Sequence, residues 1–430
     1  MVAQVDKNTS RPRVMFHALA HRNFRLFWAG AFLSNAGTWM QSVAQAILVY
    51  KLTASPFWLG VDTFMATAPG LLLTLFGGAL ADKVNRKRLL IFTQAGAGLS
   101  ALTLGLFVMT GIVEGAGDVW IILALSFFTG CCWAIAGPSY QAMTVDLVER
   151  RDLANAIALN STQFQLARVV GPTLAGLAMK FFGLQGCFFA NGFSYIAIVG
   201  ALALVRVERP GTVDGDGAAA SRAGAATKGA SAIWRDLVEG FRYVGGRPRV
   251  RLLLLCSGFV AFFGAPYLVL APVFAKEVFR WDDAGVSLLM GTAGAGAFCG
   301  AMLLVYLGDF KHKGYFALGS SLSASICLVG YALSGRPTTA LPLLFCVGFS
   351  MVSFFALCNT LLQQLVTDEM RGRVMSMWIL TFIGTMPIGS FIAGAAATRY
   401  GAPHTLATGG FIIALFVLFI GLRNARLREM

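Results

Sequence analysis

The stretch Gly77-Gly78-Ala79-Leu80-Ala81-Asp82-Lys83-Val84-Asn85-Arg86-Lys87-Arg88 ends one long apolar run, 56–80, and is followed by a second, 89–113. Each run is long enough to cross a bilayer as a helix, which needs about 20 residues. The stretch therefore predicts a short basic loop between two membrane-spanning helices. Because Lys and Arg in short loops favour the cytoplasmic side, this loop sets the predicted orientation of both helices, and every other loop follows by alternation.

The composition of the chain is that of a membrane protein. Its 430 residues are 57% hydrophobic and only 13% charged, and the mean hydropathy is +0.70, whereas a soluble domain carries about 25% charged residues. A net charge of +14 is typical of nucleic-acid binding, but most of the 34 Lys and Arg residues fall in alternate loops and near the chain ends. This distribution indicates membrane topology, with both termini in the cytoplasm and no nucleic-acid partner.

Long apolar runs separated by short connections predict an all-α membrane protein with twelve transmembrane helices. Their expected positions are about 24–50, 56–81, 88–112, 118–145, 152–180, 185–206, 250–276, 284–308, 314–334, 338–366, 373–399 and 403–422. Residues 209–231 are mostly Gly, Ala, Ser and Thr, as in flexible linkers. Apolar residues at helical spacing in 233–244 then predict a short amphipathic helix, lying on the inner membrane face or packed on the protein's own cytoplasmic surface.

The linker divides the chain into two pseudo-symmetric six-helix bundles. We predict a cytoplasmic tail at 1–22, an N-terminal bundle at 23–206, a cytoplasmic linker at 207–249, a C-terminal bundle at 250–422 and a cytoplasmic tail at 423–430. The halves echo one another, because Gly171-Pro172-Thr173-Leu174-Ala175-Gly176 in the fifth helix corresponds to Gly389-Ser390-Phe391-Ile392-Ala393-Gly394 in the eleventh. Internal repeats of this kind are common in transporters.

Polar residues inside a spanning helix are costly and usually face a cavity or another helix. In the first helix one face carries a polar stripe made of Asn35, Thr38, Ser42 and Gln45, with Gln41 beside it. The stripe suits a water-filled pathway, and hydrogen bonding between packed helices is the alternative. Further candidates for substrate contact or coupling on other helices are Gln141, Gln165, Tyr267, Asn359 and Gln363.

Two charged residues lie within predicted helices and could serve transport. Arg168 is placed near mid-membrane, where an arginine costs at least ~2.5 kcal/mol, so it should meet water, a carboxylate, carbonyl groups or an anionic substrate. Two roles are compatible with this position of Arg168: contact with substrate or the coupling ion, and membership of a structural hydrogen-bond network. Asp62, in the second helix, is the matching anion. It suits proton coupling, with helix capping or a position at the lipid interface as the alternatives.

The sequence offers little for metal binding or catalysis. The eight cysteines all fall in apolar runs without C-x-x-C spacing, and the four histidines lie in loops or near ends. A phosphate-binding G-x-x-x-x-G-K-[ST] loop is also missing. We therefore expect no metal, no cofactor and no enzymatic activity. The basic N-terminal segment, followed by a long first helix, predicts no cleaved signal peptide.

The basic loop resembles the loop between the second and third helices of the major facilitator superfamily. The shared pattern is Gly78-x-x-x-Asp82-Lys83-x-Asn85-Arg86-Lys87, where the family usually has Gly at Asn85, and both residues tolerate a left-handed backbone. We expect Gly78 to permit close helix approach and Asp82 to cap a helix N-terminus. The resemblance implies a conformational latch between the two halves, formed by Gly78, Asp82, Lys83, Arg86 and Lys87, with Asp146 as the carboxylate partner.

Two further stretches extend the resemblance over nearly the whole chain. Gly171-Pro172-x-x-Ala175-Gly176 is similar to the kinked fifth-helix signature of superfamily antiporters, with Ala175 in place of a Gly. The run 138–156 together with 167–172 resembles the branch containing enterobactin exporters and macrolide efflux proteins. However, the Arg usually seen in the fourth helix of proton-coupled drug exporters is missing.

The resemblance implies a monomeric secondary transporter in a bacterial-type cytoplasmic membrane. It would export a moderately large siderophore- or drug-like molecule by alternating access, with protons as the coupling ion and the lipid bilayer as its surroundings. An importer or a lysolipid flippase on the same fold is the alternative function. A membrane sensor that transports nothing is a third, and a sensor would normally add a soluble domain.

Overall fold

The computed structural model describes residues 17–205, 230–308 and 310–423, without the side chains of residues 75, 79, 81–83, 230–237 and 368. Its regular structure in these ranges is helical. The spanning helices of the N-terminal half are α1 Arg22–Thr53, α2 Pro56–Lys83, α3 Arg86–Met109, α4 Val119–Asp146, and α5 and α6, which share the stretch Leu153–Leu204. Those of the C-terminal half are α7 at 248–278, α8 Asp283–Leu307, α9 Lys313–Leu333, α10 Pro337–Leu365, α11 Asp368–Tyr400 and α12 Ala402–Arg423.

The twelve predicted transmembrane helices are confirmed. Ten helical stretches of the described chain are long and apolar enough to cross a membrane. One of them, 55 residues long, holds two helices, because Gly183 breaks it with a φ of 69°, a backbone conformation that glycine adopts without strain. The first helix, α1, has 32 residues and is long enough to provide the twelfth crossing. Its polar stripe lowers its hydropathy, so it is not among the ten apolar stretches.

Helix α7 is segmented. It runs as Pro248–Gly264, Pro266–Val269 and Ala271–Val273, and ends in the π-turn Phe274–Val278. Proline lacks the N–H that continues a helix, so Pro266 and Pro272 interrupt its hydrogen bonds. The segmentation lies beside Tyr267, which is buried and faces the N-terminal half.

The two halves meet along two helix pairs, α2 with α11 and α5 with α8. Because α2 and α8 are counterparts in the repeat, as are α5 and α11, the two contacts are related by the pseudo-symmetry. Matching glycines make both of them close. A Cβ added at Gly394 of α11 would lie 3.1 Å from Cα of Gly60 in α2, and one at Gly176 of α5 would lie 3.4 Å from Cβ of Ser287 in α8.

The first glycines of the repeat are equivalent as well. A Cβ at Gly171 would lie 2.7 Å from the carbonyl oxygen of Ala36 in α1, and one at Gly389 would lie 2.2 Å from that of Phe262 in α7. The first glycine of each stretch therefore packs on the first helix of its own half, and the second faces the other half. Pro172 also faces Gly291 of α8. In this structure the Gly-Pro motif allows α5 to pack closely against α1 on one side and against α8 on the other.

The ends of the bundle differ. We call the end that carries Arg86, Arg151 and Arg373 the basic end, and the opposite end the far end. At the far end the halves are joined by polar contacts: Tyr50 donates to Glu277, and Asp283 pairs with both Lys51 and Lys276. The backbone N–H of Phe57 also donates to Oγ1 of Thr398 at 3.0 Å. At the basic end, a cavity of about 370 Å³ separates α5 from α8 and α10. The structure is therefore closed at the far end and opens toward the basic end.

The predicted amphipathic helix forms as Ala230–Gly245, which we call the linker helix. It packs against α11, where Arg373 pairs with Glu239 at 2.9 Å and Met377 approaches Gly240. Val244 is buried, while Phe241 remains 64% exposed. Of the two placements considered, the structure has the helix on the protein's own surface. The Gly/Ala-rich segment up to residue 229 lies outside the described residues. So do residues 1–16 of the predicted N-terminal tail and residues 424–430 of the predicted C-terminal tail.

Candidate functional site

A cavity of about 360 Å³ lies between the halves near mid-bundle, and we call it the central cavity. The N-terminal half supplies its polar wall, and the C-terminal half closes it with apolar side chains. The polar wall includes Thr38, Gln41, Gln45, Asp62, Ser126 and Asn191, and the apolar wall includes Leu268, Val269, Met290 and Met386. The site is therefore a single pocket with asymmetric chemistry, since only one half carries its hydrogen-bonding groups.

Asp62 is the carboxylate of the central cavity, and its position is set by two other helices. Nε2 of Gln45 on α1 donates to both carboxylate oxygens, at 2.9 and 3.0 Å. Oγ of Ser126 on α4 donates to Oδ1 at 2.6 Å. Three helices, α1, α2 and α4, thus converge on one ionisable group. Such a group within a membrane is a candidate for ion coupling.

The polar wall continues from Asp62 as a hydrogen-bonded row. Nε2 of Gln41 donates to Oε1 of Gln45 at 3.3 Å, and Nδ2 of Asn191 on α6 donates to Oε1 of Gln41 at 2.7 Å. Ser194 in turn donates to Oδ1 of Asn191 at 3.1 Å. Sequence reasoning identified Gln41, Gln45 and Asp62 but missed Ser126 and Asn191. A Ser or Asn in an apolar helix was the only available signal, and many such residues merely bond their own backbone.

The residues of the predicted polar stripe on α1 do not all face the same cavity. Thr38, Ser42, Gln41 and Gln45 line the central cavity, but Asn35 does not. Asn35 is buried and donates to Oε1 of Gln163 at 3.3 Å, and Gln163 donates to Tyr140 at 3.0 Å. For Asn35 the helix-packing alternative therefore describes the structure, because its turn of α1 is covered by α4 and α5.

Arg168 and Asp62 are not paired with each other. Nη2 of Arg168 donates to the hydroxyl of Tyr267 at 3.0 Å, and Cζ lies 5.4 Å from the ring centroid of Trp39. Tyr267 belongs to α7, so this bond crosses from one half to the other. The sequence predicted water, a carboxylate, carbonyl groups or an anionic substrate as the partner of Arg168, and the hydroxyl of a tyrosine was not among these. Trp39 also lines the central cavity, which places the guanidinium at its border.

The remaining polar candidates lie nearer the basic end. Gln141 and Gln165 line a cavity of about 580 Å³ between α4 and α5, and Gln165 also lines the cavity of about 370 Å³ beside α8. Asn359 and Gln363 of α10 bond to each other at 2.6 Å, outside the central cavity. These groups could contact a substrate on its way from the basic end, but the structure does not bring them to Asp62.

The basic loop contains the expected ion pair, in which Nη1 of Arg86 lies 3.0 Å from Oδ2 of Asp146. Nζ of Lys87 donates to the last carbonyl groups of α6, those of Ala203 and Val205, at 3.0 and 2.9 Å. A cation is favoured there by the helix dipole. The side chains of Asp82 and Lys83 are outside the described part of the structure.

Two expectations for the basic loop differ from the structure. Asn85 is extended, with a φ of −63°, and its side chain caps α3 by accepting from the N–H of Arg88. Asn85 thus needs no left-handed backbone, and its own side chain provides the N-terminal cap of α3. The close helix approach is also shifted by one residue. A Cβ at Gly77 would lie 2.8 Å from Cα of Ile135, whereas one at Gly78 would meet no described atom within 4 Å.

This shift predicts opposite results for two neighbouring substitutions. Gly77→Ala should destabilise the protein by about 1–3 kcal/mol, because its methyl group would collide with the backbone of α4. Gly78→Ala should leave stability within about 0.5 kcal/mol. Thermal unfolding of the two purified variants in the same detergent measures the difference. Equal loss of stability in both would contradict the assignment of the close contact to Gly77.

The described N-terminal residues are held against the α4–α5 connection by an N-terminal clamp, formed by the side chains of His17, His21, Asp152 and Asn155. Nδ1 of His17 and Nε2 of His21 each lie 2.8 Å from one oxygen of Asp152. The N–H of Ala18 donates to Oδ1 of Asn155 at 3.0 Å. The pKa of Asp152 is lowered from its ordinary value of 3.8, chiefly by the hydrogen bond from His21 and, against some burial, also by His17.

The clamp should be lost in acid. A carboxylate whose pKa is lowered by folding contributes stability above its unfolded pKa, and this contribution disappears as the pH falls through the lower folded value. The protection factor of the Ala18 amide, which is its exchange rate in an unstructured peptide divided by its rate in the protein at the same pH, should therefore be large at neutral pH and fall below pH 3.8. Asp152→Asn should make exchange fast already at neutral pH, while Glu149→Gln serves as the control at an exposed neighbour. Slow exchange in Asp152→Asn would show that the clamp does not hold this segment.

Among the described residues, no group of three or more His, Cys, Asp or Glu side chains could hold a metal ion. The chemistry of the central cavity is thus that of one carboxylate, neutral hydrogen-bonding groups and a bordering guanidinium. Such a set can bind a polar solute and a proton between the two halves.

Comparisons with known proteins agree with this architecture. A family model described as transmembrane secretion effector matches residues 14–430. The staphyloferrin A transporter of Staphylococcus aureus is 24% identical over 412 residues, covering 94% of this chain and 97% of the relative. The enterobactin exporter EntS of Salmonella choleraesuis is 22% identical over 404 residues, covering 93% and 92%.

Solved structures show the same fold. A bacterial homolog of the human lysosomal transporter Spinster, in an inward-facing and occupied conformation, superposes with a TM-score of 0.69 at 16% identity, covering 98% of this chain and 100% of that chain. The peptide transporter POT gives 0.66 at 17% identity, covering 95% and 96%. The chain therefore belongs to the transmembrane secretion effector family of the major facilitator superfamily, and is a multi-pass membrane transporter.

Proposed function

We propose that this protein exports a moderately large, siderophore- or drug-like organic molecule across a bacterial cytoplasmic membrane in exchange for protons, acting as a monomer. The observation that carries the proposal is the single carboxylate, Asp62, in a cavity between the two halves. The printed names of two relatives, a staphyloferrin A transporter and an enterobactin exporter, support a siderophore-like substrate.

In this proposal the basic end faces the cytoplasm. The positive-inside rule supports it, because the described part of the basic end carries Arg86, Arg151 and Arg373. The structure is closed at the far end and has cavities toward the basic end, so it represents a state that receives substrate from the cytoplasm. Rocking the halves about the α2–α11 and α5–α8 contacts would close the basic end and open the far end.

The cavities are large enough for such a solute. Ligand pockets for small organic molecules typically measure about 300–1,000 Å³. The central cavity has about 360 Å³, and the cavity between α4 and α5 adds about 580 Å³ on the path to the basic end. The mixed wall suits an organic molecule with one polar side, since the C-terminal half offers Leu268, Met290 and Met386.

Asp62 can couple a proton to the arrangement of three helices. As a carboxylate it only accepts hydrogen bonds, and both Gln45 and Ser126 donate to it. A protonated carboxyl group becomes a donor at one oxygen, so the partner at that oxygen has to accept instead or turn away. Gln45 has an alternative acceptor, because its Nε2 already lies 2.8 Å from Oγ of Ser126. Protonation would thus loosen the contact of α2 with α1 and α4.

Uptake into everted membrane vesicles tests the proposal. Acidifying the vesicle lumen should drive accumulation of a labelled siderophore or macrolide when this protein is present, and an uncoupler should abolish it. Vesicles without the protein serve as the control. Absence of gradient-dependent accumulation for enterobactin, staphyloferrin A and erythromycin alike would contradict proton-coupled export of this substrate class.

A further inference from the structure

Arg168 is unusual because it lies in the middle of a spanning helix with little to neutralise it. Among the described residues its hydrogen bonding is confined to one phenol, Tyr267, at 3.0 Å. Its Nε is buried and has no hydrogen-bond partner. A guanidinium carries five N–H donors and stays protonated, so most of its donors have no acceptor on the protein. The charge therefore remains available to a ligand.

The carboxylate of the central cavity is already engaged by other partners. Asp62 accepts from Gln45 and Ser126 and does not meet Arg168. Elsewhere in the described chain the ion pairs lie at the two ends of the bundle, as in Arg86–Asp146 and Lys276–Asp283. An uncompensated cation near mid-membrane is expensive. A negatively charged group bound beside it would offset that cost.

Arg168 also lies at the border of the central cavity. Trp39, which its guanidinium faces, lines the central cavity. Gln165, one helical turn earlier on α5, lines both cavities that open toward the basic end. Here α5 and α8 are in close contact, since a Cβ at Gly294 would lie 2.4 Å from the carbonyl oxygen of Arg168. The guanidinium is thus at the border of the central cavity and at a crossing of the two halves.

We propose that Arg168, Trp39 and Tyr267 form a subsite for a carboxylate group of the exported molecule. A guanidinium that faces an aromatic ring keeps its edge free for bidentate hydrogen bonds, and this edge matches a carboxylate. The inference rests on the proposed function and narrows its substrate class to organic carboxylates. Because Arg168 and Tyr267 belong to different halves, the bound anion would touch both sides of the moving interface. A membrane potential that is negative inside also favours export of an anion.

Binding to the purified full-length protein in detergent tests this subsite without any need for transport. Citrate serves as the tricarboxylate probe, and trimethyl citrate as an uncharged probe of the same skeleton. We expect citrate, but not its ester, to bind to the wild-type protein in isothermal titration calorimetry. Arg168→Gln should weaken citrate binding at least about tenfold, or ~1.4 kcal/mol, and Arg168→Lys should weaken it less.

Two variants keep the experiment decisive. Lys180→Gln removes an exposed cation from the far end of the same helix and should leave citrate binding unchanged. Tyr267→Phe removes the hydroxyl that holds the guanidinium and should weaken binding, even if Arg168→Gln fails to fold. Equal binding of citrate and its ester, undetectable binding of citrate to the wild-type protein, or loss of binding in Lys180→Gln would overturn the subsite. Intact citrate binding without vesicle export would instead count against the proposed function alone.

Discussion

Replacing Asp62 with Asn is expected to remove the proton dependence of transport. Asn has nearly the same shape and can still accept from Gln45 and Ser126 through its carbonyl oxygen, so the central cavity should stay intact. It cannot take up or release a proton. In everted vesicles, accumulation driven by the pH gradient should therefore fall at least about tenfold, or ~1.4 kcal/mol. Exchange of substrate at equal concentration and equal pH should continue, because alternating access itself does not require the charge.

The matched control for this substitution is Glu114→Gln, which neutralises an exposed acid in the connection between α3 and α4. It should transport like the wild-type protein. The exchange measurement separates a coupling defect from a misfolded protein, since a misfolded variant loses both activities. If Asp62→Asn retained the full response to the pH gradient, the coupling carboxylate would have to be sought elsewhere.

Replacing Gly394 with Leu should stop transport by a different route. At the far end α2 and α11 are in backbone contact, and a Cβ at Gly394 would lie 2.7 Å from the carbonyl oxygen of Pro56 and 3.1 Å from Cα of Gly60. Backbone atoms cannot move aside as a flexible side chain can. Overpacking of this kind costs about 1–3 kcal/mol. This energy falls on the state that is closed at the far end, so the variant should favour the opposite state.

Labelling of a cysteine reports this change of state. Ala397, which is three residues after Gly394 on α11, is only 3% exposed, so an Ala397→Cys probe in a cysteine-free background should react slowly with an impermeant maleimide. Adding Gly394→Leu should raise the labelling rate about tenfold, as expected for a shift of ~1.4 kcal/mol. Gly372→Leu is the control on the same helix, because a Cβ there meets no described atom within 4 Å. Unchanged labelling in Gly394→Leu would contradict closure through this glycine contact.

Several features of the fold were readable from the chain because they depend on local properties. The twelve helices follow from apolar runs longer than a bilayer core, and the α5–α6 boundary lies at Gly183, within the expected connection. The repeated Gly-x-x-x-x-Gly stretches in α5 and α11 likewise predicted equivalent halves. In the structure, Gly171 and Gly389 occupy equivalent contacts.

The candidate site was only partly readable. A polar residue in an apolar helix can be recognised from sequence, and Gln41, Gln45 and Asp62 were recognised in this way. Its neighbours depend on how far each helix is rotated and which helix lies beside it. A rotation of one residue moves a side chain by about 100°. For that reason Asn35 does not face the central cavity with the rest of the predicted stripe, and Gly77 rather than Gly78 makes the close contact with α4.

Hydropathy and the placement of Lys and Arg by themselves determined that this chain is a two-halved, twelve-helix membrane protein, because the bilayer acts on each segment separately. Only the tertiary structure decided that Ser126, which is 64 residues from Asp62 in sequence, holds its carboxylate. It also decided that Arg168 meets Tyr267 of the other half, 99 residues away. Such pairs arise from helix packing, which joins side chains regardless of their separation along the chain.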